Sequence, residues 1–297
     1  MTIKTKFIRL MMKLLPSPAA SQHNLQEQIL ESMARTLPPK HLRFEVHLAE
    51  HCNLNCRSCD HFSPLAEPEF VDFDKLKKDF ERLSFLFDGE CQSINLCGGE
   101  PLLNPQVPQI LQMARSCFPM GEINLVSNGI LILSQPDSFW QAMHDNKIIL
   151  KLTKYPVRLD YEKMLKKANE MSVQTGFMGN SDKTIKTLWK LPIDPSGSQN
   201  YRLNFLKCFK IGICPFLYDG KIYPCAQVAC IRHFNLRFNQ NIPVSKLDFI
   251  DIYNARSADE IAAFLARPTP FCRFCNFTGI QNNQRWGISS KKIEEWV

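Results

Sequence analysis

Hydrophobic and polar positions along the chain change repeatedly between a period of two and a period near 3.6, the mark of strands alternating with helices. "RFEVHLA" (43–49) alternates and predicts a strand that runs straight into a cysteine-bearing loop. "DFDKLKKDFERLSFLF" then sets Phe73, Leu76, Phe80, Leu83 and Phe87 on one helical face. "QSINLC" (92–97) is the next strand, and "NPQVPQILQMARSC" predicts a helix with Asn104 as N-cap and Pro105 at its first position. "EINLVS" (122–127) and "KIILKLT" (147–153) are further strands, with a helix between them around 137–145. A helix near 160–170 and a weaker strand at 173–178 complete the series.

Short crossovers of this kind imply a parallel sheet with ligands bound at the C-terminal ends of its strands. The cysteine loop lies at one such end and "GGEP" (98–101) at the next, so two features distant in sequence converge on one rim. Residues 181–200 turn polar and rich in Pro, Gly and Ser, which predicts a linker. A second, small, cysteine-rich module is expected over 201–297, after a core over 42–180 and an N-terminal helical extension over 1–41. No internal repeat is visible.

Composition narrows the class. The chain has 297 residues, 44% of them hydrophobic, enough for a sizeable core and against disorder. A net charge of +7 without long runs of one sign leans toward an acidic partner, such as a phosphorylated substrate, and equally fits a solvated basic surface. No nucleic-acid-binding signature is present. The first residues begin like a signal peptide, but Lys13 breaks the apolar stretch, and no run approaches the ~18 apolar residues of a membrane span. The twelve cysteines are therefore expected as reduced thiols in the cytoplasm. In the N-terminal stretch Lys6, Arg9 and Lys13 oppose Ile3, Phe7, Leu10, Met11 and Leu14, an amphipathic helix that fits a peripheral membrane contact or docking on the protein's own surface.

"EHCNLNCRSCDHF" (50–62) places Cys52, Cys56 and Cys59 within eight residues, too tight for a disulfide framework and with no fourth cysteine nearby. Thiolates commonly hold iron–sulfur clusters, four to a 4Fe–4S cube, so three leave one iron open to a small molecule. By itself the spacing also fits half of a zinc site. C-x3-C-x2-C after the first strand, with "GGEP" after the second, resembles the radical S-adenosylmethionine (SAM) enzymes. The resemblance covers residues 43 to about 180. It implies an α/β fold, a partial (β/α) barrel radical SAM core, with a 4Fe–4S cluster on Cys52, Cys56 and Cys59 whose fourth iron chelates SAM. One electron from the cluster, supplied by a flavodoxin- or ferredoxin-type donor, then yields a 5′-deoxyadenosyl radical that abstracts hydrogen from substrate. Gly98, Gly99, Glu100 and Pro101 match the segment that holds the SAM amino group. Ser127 and Asn128 of "SNG" match the polar contacts at the third strand end, with Thr153 and Lys154 at the fourth. The family usually has an aromatic residue before the third cysteine. Here it is Ser58, which leaves His61 or Phe62 to stand near the adenine.

The tail extends the resemblance. Cys208, the hairpin "YDGKIYPC" ending in Cys225, a helix "SADEIAAFLA" with a Ser257/Glu260 capping box, and "CRFC" with Cys272 and Cys275 resemble the auxiliary-cluster modules called twitch and SPASM domains. The resemblance implies a second 4Fe–4S cluster on Cys208, Cys225, Cys272 and Cys275. Cys214 is the alternative to Cys208, and a four-cysteine zinc site is the alternative to the cluster. Cys91 and Cys117 fit core thiols.

Relatives with such modules oxidise an aminocyclitol alcohol, epimerise sugars or modify ribosomal peptides. The resemblance implies an enzyme that dehydrogenates or epimerises a sugar, aminocyclitol or nucleotide-linked sugar. A peptide-modifying maturase is the alternative, disfavoured because about forty residues before the core are too few for a leader-binding module. A non-catalytic electron-transfer protein would have no use for "GGEP". An epimerase needs a hydrogen donor, for which Cys97, Cys214 and Cys230 are the candidates, each also readable as structural. A dehydrogenase needs a base, and rim lysines would serve.

Overall fold

A computed structural model of the chain describes residues 37–180, 182–213 and 215–297. Most of the expected N-terminal extension, and Cys214, lie outside the described residues. The backbone runs β1 (Arg43–Ala49), α1 (Phe73–Leu86), β2 (Ser93–Gly98), α2 (Val107–Cys117), β3 (Glu122–Ser127), α3 (Asp137–Asp145), β4 (Ile149–Leu152), α4 (Tyr161–Glu170) and β5 (Thr175–Phe177). These are the strands and helices that the periodicity predicts. The five strands pair in parallel in the order β5-β4-β3-β2-β1, as in a partial (β/α) barrel.

Every residue of β1 after Arg43 is buried, and its alternation sorts the two faces. Phe44, Val46 and Leu48 join the main core with Leu76, Phe80 and Leu83 of α1. Glu45 and His47 point to the opposite, inner face, where the register aligns Glu45 with Asn95 and Asn124, and His47 with Cys97. A parallel sheet covered by helices on both sides would be apolar on both faces. Here the inner face carries polar groups: Glu45 lines a cavity, while His47 bonds Glu50 and Asn124 donates to Asn95. Asp72 caps α1 by accepting from the Lys75 amide at 2.9 Å. The next helix starts later than expected, at Val107. The Asn104 carbonyl oxygen Oδ1 accepts from the Gln106 amide at 2.8 Å and so closes a turn ahead of the helix, while its amide donates to Leu48 O.

The tail does not stand apart from this sheet. β6 (Thr187–Lys190) forms within the stretch expected as a linker and pairs antiparallel with β10 (Gln281–Arg285). α5 (Tyr201–Lys207) follows, then β7 (Phe216–Tyr218) and β8 (Lys221–Tyr223), and β7 pairs in parallel with β1. The hairpin turn has Asp219 and Gly220 at φ of 47° and 70°, the pair of left-handed residues that a type I′ turn demands. Asp79 of α1 fastens it by accepting from the Gly220 amide at 2.8 Å and the Tyr253 hydroxyl at 2.7 Å. A helix that the sequence pattern did not foretell, α6 (Ala226–Phe238), starts directly after Cys225. β9 (Ile250–Asp251) and the expected α7 (Ala258–Leu265) complete the elements used below. Ser257 caps α7 through the Glu260 amide, but Glu260 returns its carboxylate to the Arg256 amide, one residue before the cap. Among the described residues no helix is long and apolar enough to cross a membrane.

Candidate active site

A pocket of about 270 Å³ opens at the C-terminal ends of β1–β4. Cys52, Cys56 and Cys59, Gly98 and Gly99, Ser127 and Asn128, and Thr153 all line it. The three loops that the sequence brought to one rim thus meet around one space.

The cysteine loop is tightly wound. Asn55, Ser58 and Phe62 all adopt positive φ, of 53°, 54° and 55°. The glycines beside it are dictated by backbone packing. A Cβ on Gly98 would lie 2.3 Å from Ala49 O, and one on Gly99 would lie 2.0 Å from His51 O. The Gly99 amide donates to Ala49 O at 2.8 Å and the Glu100 amide to His51 O at 3.1 Å. This close approach sets the start of the cysteine loop, beside any ligand contact.

Glu100 faces inward, fully buried, and does not line the pocket. Its carboxylate accepts from Ser127 Oγ at 2.8 Å, the Asn128 amide at 2.9 Å and the Leu102 amide at 3.2 Å. Burial pushes it up to about 7 against the pull of those bonds. Its observed work is to lock the turn after β3, and Pro101 is buried beside it at the start of a short 3₁₀ turn. Asn128 then reaches across to donate to Asn53 Oδ1 at 2.8 Å and to Cys52 Sγ at 3.7 Å, so the "SNG" turn holds the cysteine loop.

Lys154 lies outside this pocket, its ammonium against the Tyr161 ring at 5.0 Å. Phe62 is corrected as an adenine contact. It is fully buried between Phe234 and Trp296, at ring distances of 5.8 and 6.3 Å, and belongs to the core under the loop. His61 does line the pocket. The aromatic groups found at the triad are residues that sequence reasoning missed. Tyr155 lines the pocket with Cys56, and Trp286 Nε1 donates to Cys56 Sγ at 3.3 Å. Tyr155 follows Thr153 at the rim, so the strand-end rule extends to it. Trp286 is 230 residues from Cys56, and nothing in the sequence links them.

Residues 286–297 strap the cysteine loop from outside. The Arg57 amide donates to Gly287 O and the Ser289 amide to Asn55 O, both at 2.8 Å, and Trp296 Nε1 donates to Cys59 O at 2.8 Å. From below, buried Glu50 gathers His47 Nδ1 at 3.1 Å, His233 Nε2 at 2.9 Å and Arg232 Nη2 at 3.0 Å, which joins α6 to the end of β1. Burial alone would push this carboxyl up, but the two imidazoles and the guanidinium hold it well below the usual range.

Of the hydrogen-donor candidates, Cys97 lines the pocket from the inner face of β2. Cys230 is fully buried in α6, away from the pocket lining, and its thiol lies within 4.8 Å of His47 and Glu50. It is corrected to an interior thiol.

The pocket suits a group held by thiolates. Burial pushes Cys56 up to about 11 and Cys59 up to about 12, with Asp60 adding to the second. Thiols so placed ionise only against a cationic centre. Ser58 Oγ and Ser63 Oγ, both at the pocket wall, are buried without a hydrogen-bond partner.

The second cysteine set also converges. Cys208, Cys225 and Cys275 are buried and Cys272 is half-buried. Burial pushes Cys225 up to about 12 and Cys272 up to about 11 and holds Cys275 well above the ordinary thiol value, with neighbouring thiols of the set adding to each. Asn204 of α5 donates to Cys272 O at 2.8 Å and also to Cys275 O, fixing that turn. Among the described residues, His47, Glu50 and Cys230 form the one group of three ligand atoms within 4.8 Å of each other. Lys210 bridges the two sets: it is buried, ion-paired to Asp60 beside Cys59, and within electrostatic reach of Cys208 and Cys225.

Residues 46–173 match the profile of the Radical SAM superfamily. A GTP 3′,8-cyclase from Crocosphaera subtropica is 24% identical over 226 residues, covering 72% of this chain and 59% of that protein. Another from Chlorobaculum tepidum is 28% identical over 100 residues, covering 33% and 28%. The chain spans 28% to 59% of the length of the curated relatives it matches. Among solved structures, BtrN in complex with AdoMet and 2-DOIA is 15% identical, with 86% of this chain and 98% of that chain covered and a TM-score of 0.47. Native anSMEcpe with bound AdoMet and Cp18Cys peptide is 19% identical over 46% of this chain and 42% of that one, with a TM-score of 0.35. The chain carries a Radical SAM superfamily domain over residues 46–173.

Proposed function

We propose that this chain is a radical SAM enzyme that takes hydrogen from a carbinol carbon of a sugar, aminocyclitol or nucleotide-linked sugar. The observation that carries the reading is the meeting of the three thiols, the Gly98-Gly99 backbone and the Ser127-Asn128 turn around one pocket. A 4Fe–4S cluster on Cys52, Cys56 and Cys59 with bound SAM would supply the 5′-deoxyadenosyl radical. The chain's own residues do the rest. Glu100 and Asn128 hold the loops in register, the strap of residues 286–297 covers the triad, and Glu45, His61 and Gln227 offer polar atoms to substrate hydroxyls at the inner wall.

Cys208, Cys225, Cys272 and Cys275 are proposed to hold a second 4Fe–4S cluster that accepts the substrate radical's electron, which favours dehydrogenation. With Cys230 in the interior, Cys97 is the described thiol from which epimerisation would draw its hydrogen.

The test is anaerobic reconstitution of wild type, Cys52→Ala and the Cys272→Ala/Cys275→Ala pair, with iron counted and 5′-deoxyadenosine measured after dithionite reduction with SAM. About eight irons should fall to about four in each variant, at four per cube. 5′-Deoxyadenosine should vanish in Cys52→Ala. Its persistence there removes the radical reading, and about four irons in both wild type and the Cys272→Ala/Cys275→Ala pair removes the second cluster.

A further inference from the structure

Asp60 and Lys210 form an ion pair between the two thiol sets. The carboxylate belongs to the residue directly after Cys59 and lines the thiol-lined pocket, and the ammonium belongs to the second residue after Cys208. Lys210 is only 8% exposed, and its Nζ lies 4.8 Å from the ring of Trp189, which lines the same pocket. Burial alone would push Asp60 up, but the ammonium beside it holds its carboxyl well below the usual range. Burial alone would likewise push Lys210 down, but the carboxylate holds it above its ordinary value. Both groups therefore stay charged.

A buried ion pair adds little to stability, because desolvation consumes most of its attraction. What this one retains is direction. Its negative end adjoins the first set and its positive end the second. Burial is the largest influence on the thiols of both sets; beyond it, Asp60 pushes Cys59 further up, whereas Lys210 pulls Cys225 and Cys275 back toward the thiolate. Added negative charge is thus disfavoured at the first set and favoured at the second, and burial leaves that bias weakly screened. His61 Nε2 lies 4.0 Å from the Asp60 carboxylate, but burial pushes this imidazole toward its neutral form, so the bias stands.

We propose that the Asp60–Lys210 pair is a fixed dipole that separates the two centres in reduction potential, holding the first low and the second high, so that an electron leaving the substrate radical is drawn to the second. The proposal rests on the two-cluster reading and goes beyond it by naming the residues that give the electron its direction. One-electron reduction adds a negative charge to such a centre, so a neighbouring anion lowers its potential and a neighbouring cation raises it.

Full-length wild type, Asp60→Asn, Lys210→Met and the double variant Asp60→Asn/Lys210→Met are reconstituted anaerobically and their iron is counted. Each is then titrated with dithionite and followed by electron paramagnetic resonance, the first centre being the one whose spectrum changes on adding SAM. Asp60→Asn should raise the potential of the first centre, and Lys210→Met should lower that of the second. The double variant strands neither charge, so it should keep its iron best and bring the two potentials closer together. If either single variant loses iron, the double variant decides. A general loosening of the cysteine loops admits water at both centres and moves both potentials the same way. About eight irons with potentials that stay put or move together overturns the dipole and leaves the two-cluster reading. Loss of iron in all three variants shows a structural brace and also overturns the dipole. About four irons in wild type removes the two-cluster reading and the dipole with it.

Discussion

Replacing Glu100 separates a buried brace from a ligand contact. The carboxylate accepts three hydrogen bonds, from Ser127 Oγ, the Asn128 amide and the Leu102 amide, and has no exposed surface. Glu100→Ala strands those donors, at about 1–3 kcal/mol each. Against this stands the cost of the buried charge. Lifting the carboxyl from 4.5 to about 7 corresponds to about 3 kcal/mol that folding loses once the group is ionised, at about 1.36 kcal/mol per pH unit. At about 2 kcal/mol for each stranded donor, the middle of that range, less the roughly 3 kcal/mol of the buried charge, Glu100→Ala should destabilise by about 3 kcal/mol near neutral pH. Glu100→Gln keeps an acceptor and removes the charge, and should cost less.

The pH dependence has a definite sign. Because the folded group binds its proton more tightly than the unfolded one, its contribution is fully present below about 4.5. It is lost as pH rises toward and through about 7. Denaturant unfolding of wild type and Glu100→Gln at pH 5 and pH 8 should show the stability gap moving in favour of the variant by up to about 3 kcal/mol at the higher pH. A gap that stays constant with pH, or a Glu100→Ala cost below about 1 kcal/mol, refutes the buried-brace argument.

Two further outcomes follow from the same loops. Gly99→Ala forces a Cβ into His51 O and must displace the cysteine loop, so reconstituted iron should fall well below wild type while far-ultraviolet circular dichroism is kept; full iron content would show that the loop yields freely. Trp286→Phe deletes the Nε1–H donated to Cys56 Sγ, and since hydrogen bonds to cluster sulfurs favour the reduced state, the midpoint potential of the reconstituted centre should fall in a redox titration followed by electron paramagnetic resonance; an unchanged potential would deny Trp286 a tuning role.

The core was legible because its cues are local. Alternation in 43–49 and the 3.6-residue spacing of Leu76, Phe80 and Leu83 each fix an element within its own window, and strand ends then bring the cysteine and glycine loops together by topology. What stayed hidden depends on side-chain direction and on contacts far apart in sequence. Phe62 and His61 are neighbours, yet only His61 faces the pocket, because the left-handed turn at residue 62 sends its ring to Phe234 and Trp296. Glu100 reads as a ligand-facing carboxylate until its three inward donors are seen. Helix α6 went unseen because its apolar face is weakly set off: Gln227 and His233 are buried along with Val228 and Ile231. The polarity of 181–200 suggested a linker, although Lys190 is buried, its ammonium taking the carbonyls of Glu294 and Val297.

The strap has a consequence for biogenesis. Trp296 and Gly287 hold backbone atoms of a loop made more than two hundred residues earlier, and β7 extends the sheet at β1 from about 170 residues away. During synthesis the first cysteine loop therefore emerges long before the residues that shape it, and contacts of such sequence separation form late and slowly. For most of translation the three thiols would be reduced, exposed and unshaped, open to stray metal or oxidant. On the proposed function, loading iron and sulfide then waits for residues 286–297, and a chain that lacks them should keep the sheet yet hold less iron after reconstitution.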